Sequence, residues 1–297
     1  MIIAIIDLDL QIFLQSLMKF IFTLAVFIFN FIQVSAQIID SLSIDSKILN
    51  KQIKCLVYTP KNCNQTNRNV LYLLHGAFGN HKQWIEQGNL KAIIDSMYDF
   101  KNCIVLMPDA GMTYYMNDED EKYLYEDFFM KELMPVFEKK YQCGGSKEKR
   151  IISGLSMGGF GALLYSFHHP ELFAACFAFS PGIRTNDEII SLTKEEYGIR
   201  YGFKNADNPE KRINQHWNKN SLLYLSDSMS ISDLIKTKYF IDIGDDDFLY
   251  KGNIQLYLNL KNRKIPFEFN IRNGEHNWVY WQESIKIALP IMMKILP

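Results

Sequence analysis

The segment from Arg150 to Phe167 limits what this chain can become more than any other. An apolar run closing at Leu155 has the character of a buried strand, and Met157 to Phe167 carries the small and apolar residues of a tightly packed helix. Between them lies Gly154-Leu155-Ser156-Met157-Gly158, a Gly-x-Ser-x-Gly pattern. A serine raised clear of a sheet on a sharp strand-to-helix turn needs neighbours without side chains, because Cβ atoms there would strike the strand or the helix. The same turn aims the first free amides of the helix at whatever the serine attacks. Five residues of this kind also arise as a plain glycine-rich turn. The strand before, the helix after and the acids and histidine downstream give the pattern chemical meaning.

The chain has 297 residues, with 48% hydrophobic and 22% charged residues, enough for one sizeable α/β core. A net charge of −1, without a Lys/Arg run or an acidic tail, gives no reason to expect nucleic acid or an anionic membrane as partner. The beginning differs from the rest. Met18-Lys19 precedes an apolar run, Phe20 to Val34, and then Val34-Ser35-Ala36-Gln37. That is the order of a secretory signal peptide, and the run is shorter than the ~20 residues that span a bilayer. Asp7 and Asp9 interrupt what would be a basic leader. The reading is therefore a start at Met18, a signal peptide within 1–36, and one exported domain over 37–297 with no membrane association after cleavage. An uncleaved anchor made from both early segments is the alternative. Five cysteines remain: Cys103 and Cys176 lie in apolar runs as small core residues, while Cys55–Cys63 or Cys103–Cys143 are open as disulfide pairings.

Taken in order, Ile38 to Leu49 and Gln52 to Tyr58 predict an antiparallel entry hairpin. Val70 to Leu74 and Cys103 to Met107 are continuous apolar runs of the sort buried on both faces of a parallel sheet. A glycine-bearing loop, His75 to Asn80, follows the first of them, and its amides are candidates for a second oxyanion donor. Asn89 to Tyr98 is helical in pattern, and Tyr123 to Tyr141 is an amphipathic helix with a kink or break expected at Pro135. The intervening loop, Gly111 to Glu121, mixes aromatics with acids that lack EF-hand spacing, so a solvated substrate-side loop is expected. Leu172 to Ser180, Tyr239 to Gly244 and Phe267 to Ile271 are further strands, with helices over Gly252 to Leu260 and Trp278 to Leu289. Residues 183–225 hold no strong strand and read as an insertion above the sheet, which either walls a binding site or merely decorates the fold. The alternation predicts a doubly wound, mostly parallel sheet.

Three residue types fall just beyond successive strand ends: Ser156, one acid of Asp245-Asp246-Asp247, and His276. Loops at the carboxyl ends of parallel strands converge in space. A neutral hydroxyl is a poor nucleophile and needs a base that takes its proton. Histidine titrates near neutrality and can return that proton, while a carboxylate fixes its tautomer. The remaining histidines have plainer uses. His168 and His169 suit the C-terminal end of the serine helix, His81 and His216 are expected in solvent, and His75 supports its loop by hydrogen bonding. No His-Glu-x-x-His or clustered metal-ligand pattern is present, and no cofactor is implied.

At these residues the chain resembles the esterase family that includes esterase D, S-formylglutathione hydrolase, feruloyl esterases and the antigen 85 mycolyltransferases, all α/β-hydrolases. The resemblance runs over nearly all of 40–295. It is carried by Leu73-Leu-His-Gly76 with Asn80 and Trp84, by Met107-Pro-Asp109 and by Glu132-Leu133. Gly154-Leu-Ser-Met-Gly-Gly159, Pro170-Glu-Leu-Phe173, Gly244-Asp-Asp-Asp247 and Gly274-Glu-His276-Asn-Trp278 complete it. The resemblance implies Ser156 as nucleophile, His276 as base and Asp247 as acid, with Asp245 and Asp246 as alternatives. It also implies the amides of Ala77 and Met157 as the oxyanion hole. Asn277 departs from the aspartate that often follows the family's histidine. The implied activity is hydrolysis of carboxylic esters through an acyl-enzyme, with acetyl or feruloyl esters of carbohydrates favoured by export. Acyl transfer of the antigen 85 kind, and a secreted binding protein that kept the fold, are the alternatives. Tyr114, Tyr115 and Trp217 are candidate stacking contacts for a sugar or aromatic acyl group.

Overall fold

The alternating apolar runs assemble, in the computed structural model, into one eight-stranded sheet of order β1-β2-β4-β3-β5-β6-β7-β8. The structure describes residues 38–297 apart from 62, 98, 99, 101 and 203, together with 15 and 17–19. The strands are β1 Ile38–Ser46, β2 Lys51–Thr59, β3 Asn69–Leu74, β4 Cys103–Pro108, β5 Arg150–Leu155, β6 Ala175–Phe179, β7 Lys238–Gly244 and β8 Phe267–Arg272. The entry hairpin β1/β2 is antiparallel and β2 joins β4 antiparallel, while every pairing from β4 to β8 is parallel.

The two-sided burial of the central strands follows from their alternation. Val70, Tyr72 and Leu74 of β3 enter the core on one face, and Leu71 and Leu73 enter the core on the other. The first face is covered by the helices around Phe128, Phe137 and Phe160, and the second by those bearing Trp84, Ile93, Ile285 and Leu289. Helices on both sides force the crossovers, so the carboxyl ends of β3, β5, β7 and β8 open along one edge.

Differences from the sequence reading have local causes. Pro135 has no N–H, and its ring would crowd the carbonyl of Lys131. Instead of breaking, the helix from Tyr125 to Tyr141 widens into a π turn over Phe129–Leu133. The closing helix, Trp278–Ile295, continues through Pro290. Among the described residues the insertion holds four short α-helices, Asn186–Ser191, Lys194–Tyr201, Gln215–Asn220 and Leu222–Ser228, and a 3-10 turn, Pro209–Lys211. All five thiols are free and buried, so neither pairing open from the sequence is formed. His81 and His216 are partly buried rather than solvated; His81 Nδ1 lies 3.3 Å from Asp109 Oδ2. Gln37–Pro297 forms one compact unit. The expected export signal falls largely outside the described residues. Among the described residues no helix is long and apolar enough to cross a membrane.

One buried charge cluster ties the π-bearing helix to the end of the serine helix. Glu126 Oε1 accepts from His168 Nδ1 at 2.7 Å and from His169 Nε2 at 3.0 Å. Burial by itself would raise that carboxyl, but the two histidines overcome it and hold it at about 2. Against the downward pull of burial, the Glu126 carboxylate raises His168, whose Nε2 also donates to Lys219 O at 2.8 Å. The sign of the linkage follows. Glu126 contributes stability above its unfolded value that is lost as pH falls toward 2; His168 contributes stability below its unfolded value that is lost as pH rises through its raised folded value. Thermal unfolding of the parent and Glu126→Gln should therefore differ most between about pH 5 and 6, with the gap narrowing on both sides. A gap independent of pH would show that the cluster is not ionised as described.

Candidate active site

The strand-turn-helix around Ser156 is held by close backbone approach. Ser156 has φ +52° and ψ −116°, a conformation few L-residues adopt, and it is pinned on three sides. Its N–H donates to Phe179 O at 2.8 Å, while its carbonyl accepts from Gly182 N–H at 2.8 Å and Phe160 N–H at 2.9 Å. The glycines on either side have a steric reason. A Cβ on Gly158 would stand 2.5 Å from Leu74 O, and one on Gly154 would stand 2.5 Å from the Gly158 carbonyl carbon. The serine helix therefore begins almost in contact with the end of β3.

His276 comes from the turn after β8. Its Nε2 is 2.9 Å from Ser156 Oγ, and its Nδ1 is 2.8 Å from Asp247 Oδ2. An ionised carboxylate only accepts, so Nδ1 carries the proton and Nε2 is left to accept from the serine hydroxyl. The three aspartates after β7 part company here. Asp247 is buried, and its Oδ1 accepts the Leu249 N–H at 2.9 Å. Asp245 and Asp246 are exposed; Asp245 Oδ1 accepts from Gly274 N–H at 2.9 Å, and the Asp246 N–H donates to Gly274 O at 3.1 Å. Those two tie the turn after β7 to the loop bearing the histidine, while Asp247 reaches the ring itself.

The loop after β3 is fastened from Leu74 to Gly76 by side chains. Trp84 Nε1 donates to Leu74 O at 2.9 Å, the Tyr115 hydroxyl donates to His75 O at 3.0 Å, and Gly76 N–H donates to Gln83 Oε1 at 3.1 Å. His75 Nε2 accepts from Ala110 N–H at 2.9 Å, so its Nδ1 donates to Gly76 O at 2.7 Å. Burial lowers its basicity and keeps it neutral in this role. Ala77, at the tip, lines the cavity over Ser156; Met157 opens the serine helix, where a first-turn N–H has no partner within the helix.

That cavity, about 240 Å³, is walled by Phe78, Tyr114, Leu155, Phe248, His276 and Trp281, with Arg184 and Arg200 at its side. Tyr114 packs against Phe160 and Tyr201, and burial raises its phenol while the charges of Arg200 and Arg184 oppose that. Two of the expected stacking contacts lie elsewhere. Tyr115 is fully buried on the far side of the His75 carbonyl, because a cavity-facing role would leave the loop after β3 unfastened. Trp217 packs with Ile189, Tyr197 and Ala206 into the insertion's own small core and donates to Asn186 Oδ1 at 3.0 Å. The aromatic loop is thus packed inward at Tyr114, Tyr115 and Met116 rather than solvated. The arginines, Phe248 and Trp281 were not singled out from sequence; nothing in their local pattern marks them, since the insertion's fold brings the two arginines to the cavity.

The chain is similar to known proteins in sequence and in fold. The Esterase family model matches residues 46–292. Over 268 residues the chain is 26% identical to an acetyl esterase of Caldicellulosiruptor saccharolyticus, covering 84% of this chain and 96% of that one. Among solved structures, a ferulic acid esterase matches with a TM-score of 0.74 at 29% identity, covering 88% of this chain and 99% of that one. S-formylglutathione hydrolase (FrmB) from Staphylococcus aureus matches with a TM-score of 0.71 at 20% identity, covering 87% and 100%, a likeness of fold.

Proposed function

Since the chain belongs to the esterase family, has the α/β-hydrolase fold and is a carboxylic ester hydrolase, we propose that it works through a covalent acyl-enzyme on Ser156. The observation that carries this reading is the unbroken relay from Ser156 Oγ to His276 Nε2 at 2.9 Å and from His276 Nδ1 to Asp247 Oδ2 at 2.8 Å. As the serine oxygen bonds to the ester carbonyl carbon, its proton passes to His276, and the imidazolium formed is stabilised by Asp247. The carbonyl oxygen gains the charge and accepts from the N–H groups of Ala77 and Met157, each worth ~3 kcal/mol in the transition state. Collapse breaks the bond to the alcohol oxygen, which leaves with the proton from His276. Water then repeats the sequence on the acyl-enzyme, releasing the acid and restoring the serine.

A fluorophosphonate probe should label Ser156 stoichiometrically in the parent and leave Ser156→Ala unlabelled. Labelling elsewhere, or none in the folded parent, would remove the reading and favour a binding protein. The substrate class is acetyl or feruloyl esters of carbohydrates, supported by the similarity to an acetyl esterase and a ferulic acid esterase, with Tyr114 as the aromatic contact in the cavity. A panel of acetyl, butyryl and feruloyl esters and acetylated xylan tests that choice. Export is supported by the apolar run and small residues ahead of Gln37. N-terminal sequencing of protein recovered outside the cytoplasm should begin at Gln37; an intact upstream segment would sink this part of the proposal.

A further inference from the structure

We propose that Arg184 and Arg200 form an anion subsite beside Ser156, so that the preferred substrates are esters bearing a carboxylate near the scissile bond. This rests on the reading of Ser156 as the nucleophile. Two guanidinium groups line the cavity with Ser156 and His276, and no aspartate or glutamate lines it among the described residues. Asp247 is shut away behind the imidazole.

Neither cation is in an ion pair with a carboxylate among the described residues, where the arginine ion pairs are Arg150–Glu138 and Arg272–Asp242. Arg200 gives one N–H to Glu196 O at 2.9 Å, and Arg184 lies 6.0 Å over the Phe248 ring. Glu196 feels both charges, but its carboxylate is engaged by the N–H and hydroxyl of Thr193 in the cap of its own helix. The contrast with Arg212 is informative: that guanidinium donates to the carbonyls of Ile189, Ile190, Leu192 and Ala206 and so serves the insertion's core. Arg200 also meets the Tyr114 hydroxyl in the cavity wall, and no carbonyl other than Glu196 O takes a donor from either arginine among the described residues.

Their placement is also firm. Gly182, two residues before Arg184, bonds the Ser156 carbonyl. A Cβ on Gly252 would stand 2.2 Å from Ile183 O and 3.0 Å from Arg184 N, so the backbone bearing Arg184 is pressed onto the helix Tyr250–Asn262. Arg200 stands on a helix fixed by the Thr193–Glu196 capping box. A pair of planar, permanently charged forks in a partly desolvated cavity matches a carboxylate held by two-point hydrogen bonds. An acetylated or feruloylated acidic sugar has such a group, and so does a half-ester of a dicarboxylic acid.

Matched chromogenic esters test this. One pair carries a carboxylate or its methyl ester on the acyl side, and a second pair carries them on the alcohol side. The parent should prefer the charged member of one pair by about tenfold or more in kcat/KM, mostly through KM. The preference should shrink with added salt. In the double variant Arg184→Gln/Arg200→Gln the charged-to-neutral ratio should fall to about one, with Arg→Lys changes keeping part of it. Independently of any variant, glutarate should inhibit the parent competitively and the neutral diamide glutaramide should not. A parent ratio of one or less in both pairs, or a preference that survives in the double glutamine variant, overturns the subsite while leaving the nucleophile intact. A parent that cleaves none of these esters nor 4-nitrophenyl acetate overturns the underlying reading, and the subsite falls with it.

Discussion

Ser156→Ala is expected to lower kcat for 4-nitrophenyl acetate by roughly 10⁵-fold or more while the protein stays folded. The size follows from how the group works. On the proposed mechanism no acyl-enzyme can form without the hydroxyl, and His276, whose Nε2 lies 2.9 Å from that oxygen in the parent, would have only water to activate. What survives is the stabilisation by the two backbone donors, which alone leaves a residual acceleration of about 10³–10⁴ over water in hydrolases of this design. The fold should barely respond. The Oγ bonds His276, and the conformation at φ +52° is imposed by backbone hydrogen bonds to Phe179 O and from the N–H groups of Gly182 and Phe160, which alanine keeps. One lost side-chain hydrogen bond is worth about 1 kcal/mol. Steady-state kinetics beside a thermal melt decide the matter: an alanine variant that turns over at the parent rate would mean the ester is cleaved elsewhere.

Why the serine and histidine were legible, and the walls of their cavity were not, is a matter of range. β3, β4 and β5 announce themselves because a strand buried on both faces has to be apolar at every position, as Val70 to Leu74 is. Once those strands are placed, parallel connectivity alone sends the residues after them to one edge, so Ser156 and His276 converge although 120 positions apart. Neither rule reaches side chains whose direction is set by a third element. Tyr115 reads as a surface aromatic in an acidic loop, yet that loop folds under the His75 carbonyl, and a Cβ on Gly161 would already meet its ring at 2.5 Å. Trp217 sits in a polar stretch because the insertion is built from short helices that share one small core. The capping boxes Thr185–Glu188 and Thr193–Glu196 were the local signal for those helices. With them read, Arg200 would have been assigned to a helix, although no local pattern could have told which way it faced.

The triple aspartate is the place where sequence left a choice that geometry narrows, and there Asp247→Asn should cost about 10⁴-fold in kcat. The loss turns on one proton. Asp247 Oδ1 accepts the Leu249 N–H at 2.9 Å, so an asparagine at 247 would keep its carbonyl oxygen there. Its amide would then face His276 Nδ1 and donate to it. The ring would have to carry its proton on Nε2, and Nε2 could no longer accept from Ser156. Size, shape and burial are nearly unchanged, so the loss would be one of tautomer rather than of structure. Asp245→Asn should behave differently. That side chain accepts from Gly274 N–H at 2.9 Å, a bond an amide oxygen makes equally well, and Asp246 contributes its backbone N–H to Gly274 O. Both variants should stay within a few-fold of the parent, since neither carboxylate touches the imidazole. Measuring kcat for the three asparagine variants side by side separates the roles. Equal losses at 245 and 247 would mean that the turn, and not the single carboxylate behind the ring, holds the histidine in its working form.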